Sequence, residues 1–458
     1  MHIRRYDRDY SRRHFLEQLG RGTVAAGVLM PLWQAIAKTG DASAAYPDEL
    51  LSIEAYTKGK LKPGDTIDAG NVDQVRELLD PIQFQQVKDM GRRLTLARET
   101  TDVMRLSPWE YVEATLSNKG RGRLDANGNI ATDDGKPWIG GHPFPASTNG
   151  LEAFAGQTLS WGRHDASVYG IRECDVSASG KVDYRYEGVW AEMTPVARVA
   201  MDPKPYLPGH EDKMRFQSII FTSPDDIRGS SFLNIWPYDQ REFPDLFGYV
   251  PEFKRIRRFP TNQRFEPLLP GSDLYLSDAW ATGDPYLTWG NYKVIGTGPA
   301  LAGLSGNWSS SADNWTHGTH GGPKGETFYD TVVELVPQAI NVEAQPVRYP
   351  RAPISKKEVR FDLRTMLPIT MVSFDRRGQL FRSFDGAYSL YDDGKGQVMD
   401  GKHPYWSWTH VHAYNTQTGH MTRIEQVQRL ASGDVMRVND PATYDLYLTQ
   451  GAMQRRGD

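Results

Sequence analysis

Two hydrophobic patterns divide the chain. Over residues 46–101, apolar side chains recur at three- and four-residue spacing. Val72, Val75, Leu78 and Leu79 follow an Asn71 cap and stop at Pro81, and Ile82, Phe84, Val87 and Met90 run on to Gly91. That spacing predicts helical turns. Beyond Lys181 the period shortens to two. Runs at 182–186, 215–222, 230–236, 246–250, 328–336, 357–363, 367–374, 380–391, 406–414 and 421–430 are rich in β-branched and aromatic residues. Turn chemistry stands between them, so they predict short antiparallel strands. Pro224 with Asp225 and Asp226, and Pro237 with Asp239, mark tight turns, while Gly378 and Gly419 sit where hairpin loops need φ > 0. Residues 121–141 read as turns, and 284–323, rich in Gly, Ser and Trp, as an irregular loop or lid.

The fold class is therefore mainly β (α+β), with a large antiparallel sheet. Its apolar face needs a second sheet, covering helices, or closure into a barrel or half-barrel that leaves a cavity. Three regions are expected: residues 1–44 as a leader, 45–180 as a helical or irregular N-terminal region, and 181–458 as the antiparallel β domain.

The leader is read from charge and hydropathy. Arg4, Arg5, Arg8, Arg12 and Arg13 precede the apolar run 22–37, and Ala42-Ser43-Ala44 is a small-x-small cleavage site. Ser11, Arg12, Arg13, Phe15 and Leu16 resemble the twin-arginine signature. The run is broken by Pro31 and falls short of the roughly 20 residues that span a bilayer. The expectation is a periplasmic protein with no transmembrane segment in its mature chain. No cysteine lies near residue 44, which excludes a lipoprotein, and the single Cys174 cannot form an internal disulfide.

A net charge of -4 without a long basic block excludes nucleic acid as a partner. The chemistry-bearing segments are few. Lys254, Arg255, Arg257, Arg258 and Arg264 crowd one stretch, either a rim for an anionic head group or partner, or a solvated strand edge. Phe232, Leu233, Ile235, Trp236, Trp406 and Trp408 are candidates to line an apolar pocket. His410 and His412, two apart on a strand, form the alternative: one face of a metal site, with His403 upstream and His317, His320, Asp313 or Glu326 as further ligands. No dinucleotide fingerprint or nucleophile elbow appears, so no catalytic residues, enzyme activity or cofactor are predicted.

Several short motifs recur in a fixed order: Lys62-Pro63-Gly64-Asp65 with Asn71, Gly141-His142-Pro143-Phe144-Pro145 with Gly150-Leu151-Glu152, the arginine cluster with residues 260–264, and Ser272-Asp273-Leu274. Leu367-Pro368-Ile369, residues 374–380 and residues 411–419 follow. With them the chain resembles the DUF1329 family, related to outer-membrane lipoprotein-sorting proteins of the LolA/LolB type. It departs from the family in its twin-arginine leader and in Ala146-Ser147, where a further proline is usual. The resemblance implies a curved half-barrel covered by helices, with an apolar cavity for acyl chains. It also implies a carrier of lipid or another hydrophobic ligand, working with an envelope transporter or outer-membrane protein. A scaffold that docks an acidic partner through the basic segment is the remaining reading.

Overall fold

The computed structural model describes residues 32–260, 264–267, 269, 271–278, 283–306, 312–391 and 404–457. The arginine pair of the leader, most of its apolar run, and His403 lie outside them. Leu32–Thr39 forms helix α1, with Trp33 and Ile36 buried against Leu50, Val103 and Val112. Ala42 donates its amide to the Thr101 carbonyl at 2.9 Å. The residues just before the expected cleavage point thus pack on the body of the chain.

The sheet is built from two meanders. The first runs β1 (Ala166–Val176), β2 (Val182–Met193), β3 (Lys213–Ser223), β4 (Ser231–Pro237), β5 (Asp245–Val250) and β6 (Arg255–Phe259). The second runs β7 (Gly290–Ala302), β8 (Thr331–Gln345), β9 (Ile354–Asp362), β10 (Pro368–Asp375), β11 (Leu380–Tyr391), β12 (Tyr405–Asn415) and β13 (Met421–Val427). β13 pairs with β1, so the order is β6-β5-β4-β3-β2-β1-β13-β12-β11-β10-β9-β8-β7, antiparallel throughout. Both expected hairpins are present, with Gly378 at φ 76° and Gly419 at φ 72°.

Two expectations need correction. The first meander begins at Ala166, before Lys181, and the expected loop at 284–323 contains the thirteen-residue strand β7. Residues 72–78 form a 3₁₀ helical segment kinked at Val75. The Asp80 carboxylate then caps the helix Pro81–Asp89 (α2), accepting from the amides of Ile82 and Gln83 at 2.9 Å each.

A second helix of consequence is Gly150–Ser160 (α3), capped by Asn149 through the amides of Leu151 and Glu152. It is buried nearly all round, with Phe154 against Tyr292 at 5.0 Å and Phe361 at 5.3 Å. It fills the concave side of β7 to β9. The motif around residue 142 explains its seat. A Cβ at Gly156 would stand 2.3 Å from the His142 ring, so only glycine admits that contact. The His142 amide is held by the Thr115 hydroxyl at 2.8 Å.

The N-terminal region packs on the outer side of the sheet. Residues 94–96 run parallel to Thr331–Val333 of β8, and Leu78, Leu94 and Leu96 share a core with Leu301, Val333 and Leu335. Arg364, fully buried, pairs with Asp362 at 3.1 Å and donates to the Thr100 carbonyl at 2.7 Å. It ties the β9–β10 turn to this region. Replacing Arg364 by Met strands the Asp362 charge, and the expected loss is about 3–5 kcal/mol in chemical denaturation. A loss below about 1 kcal/mol would show that the pair does not hold the two regions together.

Candidate functional site

The half of the concave face that α3 leaves open encloses a cavity of about 740 Å³, mouth included. Its wall takes Asn234 and Trp236 from β4, Gln217 and Ile219 from β3, Trp190 from β2, and Ile171 and Glu173 from β1. Ile424 from β13, Trp408 and Val411 from β12, and Phe384 from β11 complete it. Those are seven consecutive strands, which would span about 29 Å if flat at ~4.8 Å per step. They meet around one hollow because the sheet curls. Trp161, at the end of α3, closes one side.

Residues 271–278 cover the hollow. Leu274, Tyr275 and Leu276 line it, while polar neighbours fasten the segment at both ends. The Asp273 amide donates to the Thr422 hydroxyl at 2.7 Å, and Asn415 Nδ2 donates to the Asp273 carboxylate at 2.8 Å. Arg382 grips Asp278 with two nitrogens, at 3.0 and 2.5 Å, beneath the Tyr275 ring at 3.7 Å. Arg264 lines the cavity too. Its guanidinium pairs with the fully buried Asp284 and donates to the carbonyls of Gly283 and Leu276. Three motifs of the sequence, at residues 260–264, 272–274 and 411–419, thus supply Arg264, Asp273 and Asn415 to one assembly.

Polar groups punctuate the apolar wall. Glu173 is buried, and burial first, then the Asp175 charge, holds its carboxyl well above the usual range. Asp175 is raised by burial and by Asp273, although the Thr422 hydroxyl donates to it. On the other side Arg215 lies over Trp161 at 4.0 Å and Trp236 at 5.3 Å. Arg215 also borders a second, more polar hollow of about 460 Å³ with Glu192, Arg163, His164 and Asp165.

The structure separates the residues expected to act together. Trp236 and Trp408 line the cavity. Phe232 shares their face but packs against Phe259 at 6.0 Å, and Trp406 stacks on Tyr388 at 5.9 Å, both outside the lining. Ile235 points to the opposite face, as strand alternation requires beside Trp236, and packs toward Met453. Arg255, Arg257 and Arg258 sit on the exposed edge strand β6, with Arg258 paired to Asp245 and Arg257 over Phe253 at 5.2 Å. None of the three lines the cavity.

His410 and His412 are parted from Trp406 and Trp408 by a bulge. β12 pairs Ala387 with His410 and Tyr388 with Trp408, leaving Thr409 extra and inverting the alternation beyond it. Both imidazoles therefore face outward, buried. His412 Nε2 accepts the Tyr329 amide at 2.9 Å. His410 contacts the hydroxyls of Thr331 at 2.8 Å and Thr409 at 3.0 Å. His317 stands 4.5 Å from His410 between ring centres, while His320 bonds the Arg93 amide and Asp330. Burial holds the His410 and His412 pKa values well below 6.5, so neutral rings serve as hydrogen-bond partners. Among the described residues no three His, Cys, Asp or Glu side chains converge as metal ligands do. The ring nitrogens named for His410, His412 and His320 take hydrogen bonds within the fold.

Sequence reasoning missed Glu173, Trp161, Trp190, Phe384 and the cover. For the cover the Ser272-Asp273-Leu274 motif was the available signal.

No curated protein matches the chain significantly. A DUF1329 family protein from Desulfovibrio piger has 14% sequence identity, covering 67% of this chain and 100% of its own, with a TM-score of 0.42. A domain from Vibrio parahaemolyticus named for outer membrane lipoprotein sorting has 16% identity, covering 64% and 92%, with a TM-score of 0.41. A LolA superfamily protein from Nitrosomonas europaea has 12% identity, covering 67% and 99%, with a TM-score of 0.36. The model of the family described as "Protein of unknown function (DUF1329)" matches residues 66–454, and the chain belongs to that family.

Proposed function

We propose that this protein is a periplasmic carrier that holds a lipid or other hydrophobic molecule in the cavity of its curved sheet, without catalysing a reaction on it. The observation that carries the proposal is the enclosure itself. Tryptophans, isoleucines, Val411 and Phe384 face one hollow, an almost wholly apolar lining with a few polar groups, as small-molecule sites have. An apolar molecule placed there leaves water at about 25 cal/mol for each Å² buried, so affinity needs no acid, base or nucleophile.

Two further features support the reading. The leader addresses the chain to the periplasm through the twin-arginine route, where an apolar cargo moving between membranes needs a protein to shield it. The exposed edge strand β6 carries Arg255 and Arg257 at the sheet margin, where an envelope transporter or outer-membrane partner with an acidic surface would dock.

The test is displacement of a fluorescent fatty acid, read also by quenching of the wall tryptophans. Wild-type protein is expected to take up the probe saturably, about one per chain. Val411→Asp, inside the hollow, and Leu276→Asp, on the cover, are each expected to weaken uptake at least tenfold, about 1.4 kcal/mol, while circular dichroism stays unchanged. Non-saturable partitioning, or equal uptake by folded variants, would contradict the proposal.

A further inference from the structure

Among the described residues the cavity wall keeps unmatched groups of both kinds, indole N–H donors such as that of Trp236 and two side-chain acceptors. Glu173 and Asn234 are each 2% exposed, each lines the hollow, and each keeps a side-chain oxygen with no hydrogen-bond partner among the described residues. Asp175, two residues along β1 and on the same face, also keeps one oxygen unpartnered. A buried acceptor without a donor is costly to the fold, so its retention points to a donor that arrives with a ligand.

The charge that acts on Glu173 is Asp175, on its own strand. Asp175 in turn faces Asp183 on β2 and Asp273 on the cover, and Asp273 has Arg382, Asp278 and His420 near it. The neutral Tyr186 phenol faces Glu173 and Asp175 from β2. The nearby guanidinium groups face other carboxylates. Arg382 holds Asp278 in a two-toothed grip, and Arg264 holds Asp284 and two carbonyls. The aromatic wall already accepts positive charge elsewhere, since Arg215 and Arg264 lie on the Trp236 ring, each at 5.3 Å. Trp190, Trp408 and Phe384 extend that wall toward Glu173.

We infer that the cavity's ligand is an amphiphile with a protonated amine at its polar end, seated with its N–H groups on Glu173 and its apolar body along the tryptophans. The inference rests on the carrier reading and names its ligand class. It carries a proton balance. In the empty cavity burial keeps a proton on the Glu173 carboxyl at neutral pH. When the ammonium arrives the carboxylate form is favoured, the O–H bond breaks, and the proton leaves to solvent while the amine keeps its own. Amine affinity therefore rises with pH until Glu173 ionises unaided.

The experiment compares dodecylamine, dodecanol and dodecanoate by titration calorimetry at pH 7, each in two buffers of different ionisation enthalpy. The amine is expected to bind at least tenfold tighter than the alcohol, releasing close to one proton. Glu173→Gln is expected to bring the amine down to the alcohol's affinity and abolish the proton release. Asp175→Asn supplies a second variant should the first not fold, with a smaller loss for the amine alone. Equal binding of amine and alcohol, tightest binding of dodecanoate, or an amine preference that survives in Glu173→Gln would each overturn the inference and leave the carrier reading standing. Saturable binding of none of the three would overturn both.

Discussion

Arg382 with Asp278 and Arg264 with Asp284 are buried ion pairs, and the cavity exists as an enclosed space because they hold residues 271–278 across the sheet. Buried pairs contribute little net stability, since desolvating two charges offsets most of their attraction. What they do contribute here is position. A curled antiparallel sheet with an apolar inner face would otherwise collapse onto whatever reaches it first. The pairs fix the backbone of the cover while Leu274, Tyr275 and Leu276 present side chains to the hollow, so the apolar contact is made at a set distance.

The concave face is thereby used in two ways. On the side of β7 to β9 it is filled by α3, whose Phe154 packs as core, and that half is solid. On the side of β1 to β4 a loop takes the helix's place and leaves space behind it. The exchange of helix for loop separates scaffold from site within one sheet, and Trp161, the last residue of the helix side, forms part of the cavity wall. The wall carries one carboxyl, Glu173, which keeps an oxygen without a partner among the described residues.

How much of this was legible in the sequence depends on the range of the interactions. The strand at 380–391 was readable, its limits read as they stand, because turn residues bound it, although both faces are buried. β1 is equally buried, but Arg172, Glu173 and Asp175 interrupt its apolar run, which leaves no alternation to read. β7 was missed because its three glycines read as loop and its pairing slips at three places. The extra residue at Thr409 defeats any argument from parity: Trp408 and His410 share a face on paper and oppose each other in the fold. Glu173 gave no signal, since a lone carboxylate in a strand gains meaning only when strands distant in the chain close around it. The cover was legible only as a motif, because what fixes it are partners at residues 382, 415 and 422.

The account stands or falls on whether the hollow is occupied in the cell. Native mass spectrometry of the protein released from its own periplasm without detergent measures this directly. The account predicts a co-purifying apolar molecule, about one per chain, that solvent extraction removes and that Val411→Asp protein lacks. A bare polypeptide mass from freshly released wild-type protein would contradict it.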